Sequence, residues 1–174
     1  MNAVRPLLVQ IERLTTHEHP SAEAIEAIAS ESFPENPFSL VEEIARPWAR
    51  VWSATAQEDS ARVVGFLIGW HVADEVHILN VATAPTDRRR GVAAALMGVA
   101  LDYARTSRAR ILLLEVRRSN LAAIKLYRRL GFTVLGVRPR YYADNDEDAV
   151  EMILALDPES GRVLQGQDEI RIDG

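Results

Sequence analysis

Cysteine is absent from this chain of 174 residues. Disulfides, a thiolate nucleophile and any Cys-built metal site are therefore excluded. That composition suits a reducing compartment, and the chain reads as cytoplasmic. Lysine is almost missing as well, Lys125 being the single one among 20 basic residues. A Walker-type phosphate loop, which ends in Gly-Lys-Ser/Thr, is thereby ruled out. No apolar run approaches the roughly 18 residues of a membrane span, and no signal-peptide pattern opens the chain. His17, His19, His71 and His77 form no recognised zinc spacing, so no metal is expected. Positive charge is not in excess either. The net charge of −5 argues against nucleic-acid binding and suits a basic protein or peptide partner.

What is present is the composition of an ordinary globular protein, 48% apolar and 26% charged, with enough length to bury a core. Periodicity and turn residues predict a strand at Leu8 to Arg13 and a helix from Pro20-Ser21 to Ser32, with Ile25, Ile28 and Ala29 in its apolar stripe. Phe33-Pro34-Glu35-Asn36-Pro37-Phe38 breaks that helix and presents two aromatics as exposed. Ser39 caps a short helix, Leu40 to Arg46. Three strands follow, at Arg50 to Thr55, Arg62 to His71 and Glu75 to Thr83, joined by short connections that make them antiparallel. A helix from Gly91 to Arg105 leads to the apolar run Ile111 to Val116, which reads as a strand covered on both faces. Strand, helix, strand is a right-handed crossover with parallel strands. Ser119 or Asn120 caps a further helix to Leu130, and Gly131 terminates it. Strands at Thr133 to Val137 and Ala149 to Leu156 enclose a loop from Tyr141 to Asp148. The fold class is α+β (mixed α/β), with a mixed, largely antiparallel sheet flanked by helices. Residues 1–156 read as a single domain and 157–174 as a polar tail free to be disordered.

Two stretches carry chemistry. The first is Arg88-Arg89-Arg90-Gly91-Val92-Ala93-Ala94, set between a strand and a long helix. A helix start offers N–H groups without intrahelical partners and a partial positive charge, which makes it an anion site. Gly91 allows close backbone approach, and the arginines add charge, so a phosphate or pyrophosphate is the natural guest. The second stretch runs from Ile111-Leu112-Leu113-Leu114-Glu115-Val116-Arg117 through Asn120 to Leu126-Tyr127-Arg128-Arg129-Leu130-Gly131-Phe132.

Together these resemble the GNAT superfamily of N-acetyltransferases. Arg88, Gly91 and Ala93 fit its Arg/Gln-x-x-Gly-x-Gly/Ala loop, and the second stretch fits its strand-Asn-helix motif. The resemblance spans Glu75 to Leu156. Asn80-Val81-Ala82-Thr83, Leu114-Glu115-Val116-Arg117, and Arg140-Tyr141-Tyr142 before Glu147-Asp148 are similar to the ribosomal-protein alanine N-acetyltransferase family. Ala93 stands for that family's usual second glycine and Arg88 for a frequent Gln, and both termini are longer. The resemblance implies the GNAT fold with a splayed sheet, acetyl-CoA as co-substrate, and a protein N-terminus as acceptor, of a ribosomal protein in the narrowest form. It implies no membrane or nucleic-acid partner. A monomer and a homodimer both remain open. So do a small amine, an antibiotic or an internal lysine as acceptor, and a catalytically silent acyl-CoA-binding module.

Acetyl transfer needs a neutral amine, a polarised carbonyl and a protonated leaving thiolate. Glu115 interrupts an apolar run at the carboxyl end of a strand, where burial would raise its pKa. The residues alone leave it as either a base or a carboxylate paired with Arg117 or Arg138, and the resemblance implies the base. Tyr127 is core packing or a general acid, and the resemblance implies the acid. Asn120 is a helix cap that the resemblance also sets on the pantetheine arm. By the same resemblance Val81, Ala82 and Thr83 offer backbone groups along that arm, and Arg88 to Ala94 take the pyrophosphate. Phe33, Tyr141 and Tyr142 are expected beside the acceptor. Asp144, Asp146, Glu147 and Asp148 read as a solvated hairpin tip or as an attraction for a basic substrate.

Overall fold

The computed structural model describes residues 5–172. Val9–Leu14 forms β1. Helix α1, Ala22–Ser32, buries Ile25, Ile28 and Ala29, the stripe that its spacing of apolar residues dictates. Helix α2, Leu40–Ala45, starts where the Ser39 hydroxyl accepts from the Glu42 N–H. Strands β2, Ala49–Ala56, β3, Asp59–Val72, and β4, Glu75–Thr83, follow. A turn of 3-10 helix at Pro85–Asp87 precedes α3, Val92–Thr106. The remaining elements are β5, Ile111–Arg117, α4, Leu121–Leu130, β6, Thr133–Tyr142, and β7, Glu147–Ala155. The seven strands run in the order β1-β2-β3-β4-β5-β7-β6, a mixed sheet. As the crossover rule requires, β4 and β5 pair in parallel, from Glu75↔Ile111 to Ile78↔Leu114.

Contacts divide the chain into two compact units. One holds the chain through His71 together with Leu79–Ala100, and the other holds Val72–Ile78 and everything from Leu101 onward. In the first unit β1, β2 and β3 are antiparallel neighbours. Leu14, Ile25, Ile28, Leu40, Val51, Phe66, Ile68 and Ala82 form its core. Phe33 and Phe38 are not exposed, as their Pro-rich segment suggested. Both lie half-buried against this core, and the Phe38 ring stands 5.9 Å from that of Phe66.

In the second unit β7 pairs antiparallel with both β5 and β6. Two expectations change here. The β5 run is not equally covered on both faces. Leu112, Leu114 and Val116 are buried, whereas Ile111, Leu113, Glu115 and Arg117 are only half-buried. The strand starting at Thr133 does not end at Val137 but continues to Tyr142 through a bulge. Arg138 pairs with Ala149 and Tyr142 with Glu147, leaving three residues of β6 opposite one of β7. Arg140 takes the left-handed conformation (φ 50), and its N–H donates to the Asp148 carboxylate at 3.0 Å. Beyond Leu156 the polar segment is held by specific contacts. Asp168 receives two hydrogen bonds from Arg128 and one from the Val134 N–H, and the Glu169 N–H donates to the Val134 carbonyl.

Candidate active site

The arginine-rich loop belongs to the first unit. Gly91 has a φ of 90, and a Cβ built on it would meet nothing within 4 Å. Backbone geometry and open space together suit close approach by a ligand. Arg89 is also left-handed (φ 66). The first helical bond of α3 runs from the Ala95 N–H to the Gly91 carbonyl, so the N–H groups of Val92, Ala93 and Ala94 belong to the open first turn. These features fit a diphosphate. The three arginines do not act alike, however. Arg90 is committed to Asp87 at 2.8 Å, and Arg62 holds the same carboxylate at 2.7 Å. Asp87 is 3% exposed, so it pins the loop from inside. Arg88 and Arg89 are exposed, and Arg88 Nε donates to the Thr83 carbonyl at 3.4 Å.

Val81 and Thr83 are half-buried and Ala82 is buried. The Ala82 carbonyl lies 2.6 Å from where a Cβ on Gly65 would stand, and Val92 Cγ1 lies 2.9 Å from it. Only a glycine in β3 lets this stretch of β4 and the start of α3 come so close.

The second unit gathers the carboxylate and the phenols. Glu115 is 28% exposed, and the Arg138 guanidinium lies 2.9 Å from its Oε1. The enclosed carboxylate that the apolar run suggested is thus a half-buried, ion-paired one, because its face of β5 is incompletely covered. Of the two arginines considered as partners it is Arg138 that pairs. Arg117 instead holds Asp144 at 2.8 Å and Glu147 at 3.2 Å. The Tyr141 pKa is raised, chiefly by its interaction with the Glu115 carboxylate and then by burial. Tyr142 stacks edge-on against Tyr141, with ring centroids 5.2 Å apart, and lies under the Arg117 guanidinium at 3.9 Å. Burial pushes its pKa up to about 12 against the lowering effect of Arg117.

Tyr127 is buried on α4, 5.9 Å from the Phe132 ring. Its pKa is pushed up to about 12, first by burial and then by Tyr142. The charge of Glu115 also raises the Tyr142 pKa. Asn120 caps α4 by accepting from the Ala123 N–H at 3.1 Å, and Gly131 ends it at φ 103. The acidic hairpin is largely spoken for. The Glu147 carboxylate accepts from the Ser119 N–H at 2.7 Å and its pKa falls to about 2, the Ser119 hydrogen bonds being the main cause. Asp148 pairs with Arg118. Motif reading missed Asp87 and Glu151, for which no local pattern gives a signal. Among the described residues no cluster of three or more His, Cys, Asp or Glu could hold a metal, and no helix is long and apolar enough to cross a membrane.

Comparison with known proteins adds independent findings. Residues 11–132 match the acetyltransferase (GNAT) family. The [ribosomal protein bS18]-alanine N-acetyltransferase of Escherichia coli strain K12 is 34% identical over 123 residues, covering 64% of this chain and 83% of that protein. The enzyme of the same name from Salmonella typhimurium is 40% identical over 97 residues, covering 55% of this chain and 66% of the relative. The match thus spans just under two thirds of the Salmonella protein. The crystal structure of the ribosomal-protein-S18-alanine N-acetyltransferase from Escherichia coli superposes with a TM-score of 0.70 at 29% identity, over 95% of this chain and 100% of that one.

Proposed function

The chain belongs to the GNAT family of acetyltransferases, and from that premise we propose that it acetylates the N-terminal α-amine of a protein beginning with alanine, a ribosomal protein foremost. The relatives named above carry that activity in their names and match this chain at 34 to 40% identity. The observation that carries the reading is the cluster at the end of β5. There the Glu115 carboxylate pairs with Arg138 at 2.9 Å, Tyr141 and Tyr142 stack on the neighbouring hairpin, and burial keeps the Tyr127 phenol protonated.

Acetyl-CoA supplies an activated acetyl thioester. Arg88, Arg89 and the open N–H groups of Val92 to Ala94 hold its diphosphate. Val81, Ala82 and Thr83 offer main-chain groups to its pantetheine arm, as does the Asn120 amide, whose NH2 remains available while its oxygen caps α4. Glu115 takes the proton from the acceptor's ammonium group, directly or through a water. An α-amine, with a pKa of about 7.7–8.0, is a far easier target for such a base than a lysine near 10.4. Tyr127, fully protonated at neutral pH, hands its proton to the departing sulfur. Tyr141 and Tyr142 flank the first residues of the acceptor.

Mass spectrometry tests the assignment. The protein and acetyl-CoA are incubated with an alanine-starting peptide, the same peptide with a blocked N-terminus and an internal lysine, and a panel of small amines. A mass gain confined to the free α-amine is expected. A gain on the lysine or on a small amine would reassign the acceptor. Coenzyme binding without any transfer would leave a silent binding module.

A further inference from the structure

Glu115 has a second carboxylate beside it. In the β5–β7 register Glu115 lies directly opposite Glu151, and in the β6–β7 register Glu151 lies opposite Gly136. A Cβ at position 136 would stand 3.0 Å from Glu151 Oε2, so the glycine leaves that carboxylate its room. Like charges directly opposed on a sheet repel. Arg138 offsets this. One of its terminal nitrogens lies 2.9 Å from Glu115 Oε1, and its Nε donates to Glu151 Oε1 at 2.7 Å. The Arg138 side chain is 51% exposed, and the Tyr141 ring lies 5.7 Å from its guanidinium.

A guanidinium cannot surrender its proton at any working pH. While it sits on Glu115 it occupies the place that an acceptor's ammonium group must take. Yet an ion pair so exposed is weak and readily exchanged. Glu151 gives the guanidinium a second anchor, so it can turn aside without leaving the sheet face. We propose that Arg138 is a built-in stand-in for the acceptor's ammonium group, released onto Glu151 when the amine arrives. The exchange swaps one cation for another, so the two carboxylates never face each other uncompensated. The acetylated product is a neutral amide and cannot compete for Glu115, so the return of Arg138 favours its departure. Arg138 and Glu151 are in this scheme positioning residues that act through Glu115. The inference rests on the reading of Glu115 as the base.

Initial rates with a short alanine-starting peptide at varied concentration test it in Glu115→Gln, Arg138→Gln, Arg138→Lys and Glu151→Gln, each checked for folding by thermal unfolding. Arg138→Gln should lower the acceptor KM about 2- to 5-fold, the scale of an exposed ion pair. Glu151→Gln confines Arg138 to Glu115 alone of the two carboxylates and should raise KM by a similar factor. Arg138→Lys should bring KM back toward the wild-type value. If the glutamine at position 138 compromises folding, Arg138→Met, which keeps the apolar stem, replaces it. Opposite KM shifts uphold the inference, since a merely structural role would move both variants the same way. Shifts in one direction, or none, overturn it while an inactive Glu115→Gln leaves the base in place. A Glu115→Gln protein as active as wild type overturns the base, and this inference with it.

Discussion

Tyr127 keeps its proton because ionisation would leave a phenolate desolvated beside Phe132 and Tyr142, and its pKa accordingly stands at about 12. A general acid with that value is fully protonated across the physiological range. The rate should therefore show no alkaline loss traceable to this group up to about pH 10. Tyr127→Phe should lower kcat about 10²- to 10⁴-fold with little change in coenzyme binding, measured by steady-state kinetics and calorimetry. Glu147 supplies a prediction of stability. Its folded-state pKa lies at about 2, against 4.5 for an unperturbed side chain. A depressed carboxylate stabilises the fold fully above the unfolded value, and that contribution disappears as pH falls through the folded one. Between about pH 4.5 and 2 the wild-type protein should lose stability more steeply than Glu147→Gln, as denaturant titrations at stepped pH would record. The motif strings singled out Tyr127 and Glu115. They offered both Arg117 and Arg138 as partners of Glu115 and could not choose between them, because Arg138 meets the carboxylate from a different strand.

Elements were legible where the signal is local. The Ser39 cap, the Asn120 cap and the left-handed Gly131 all stand where turn and capping chemistry puts them. The bulge of β6 was not legible, because nothing in Arg138-Pro139-Arg140 announces that an exposed arginine will adopt φ 50. Its partner Asp148 is contributed by another strand. The glycine of β3 belongs to the same class. Gly65 is needed because the Ala82 carbonyl and Val92 converge on it, at 2.6 and 2.9 Å from a would-be Cβ. Gly65→Ala should therefore cost about 1–3 kcal/mol, read by urea unfolding. It should also weaken coenzyme binding by moving β4 and the first turn of α3. An unchanged midpoint would mean that the backbone shifts freely there.

For the molecule as a whole, the polar stretch after Leu156 matters more than its composition suggests. Its composition reads as a tail. The fold gives Asp168 the Arg128 guanidinium and the Val134 N–H, and lays this segment against β6, which ends the strand order. An uncovered edge strand invites pairing with another chain. Truncation after Leu156 should lower stability by about 1–3 kcal/mol, the scale of lost charge-assisted bonds and a bared N–H. It should also increase self-association, visible by light scattering. Undiminished solubility and stability would show that the segment's contacts contribute little.

The sequence by itself determined what nearest neighbours along the chain control: the periodicities, the caps, the strand-helix-strand order, and two motifs whose residue types suit a diphosphate and a proton transfer. The tertiary structure alone decided which charges meet. With 20 basic and 25 acidic side chains, many pairings are chemically equivalent. Only the register of β5, β7 and β6 selects Arg138 for both Glu115 and Glu151, and only the packing of Asp87 sets it against Arg90 and Arg62. Pair selection depends on distances between atoms remote in sequence, and those exist only once the chain has folded.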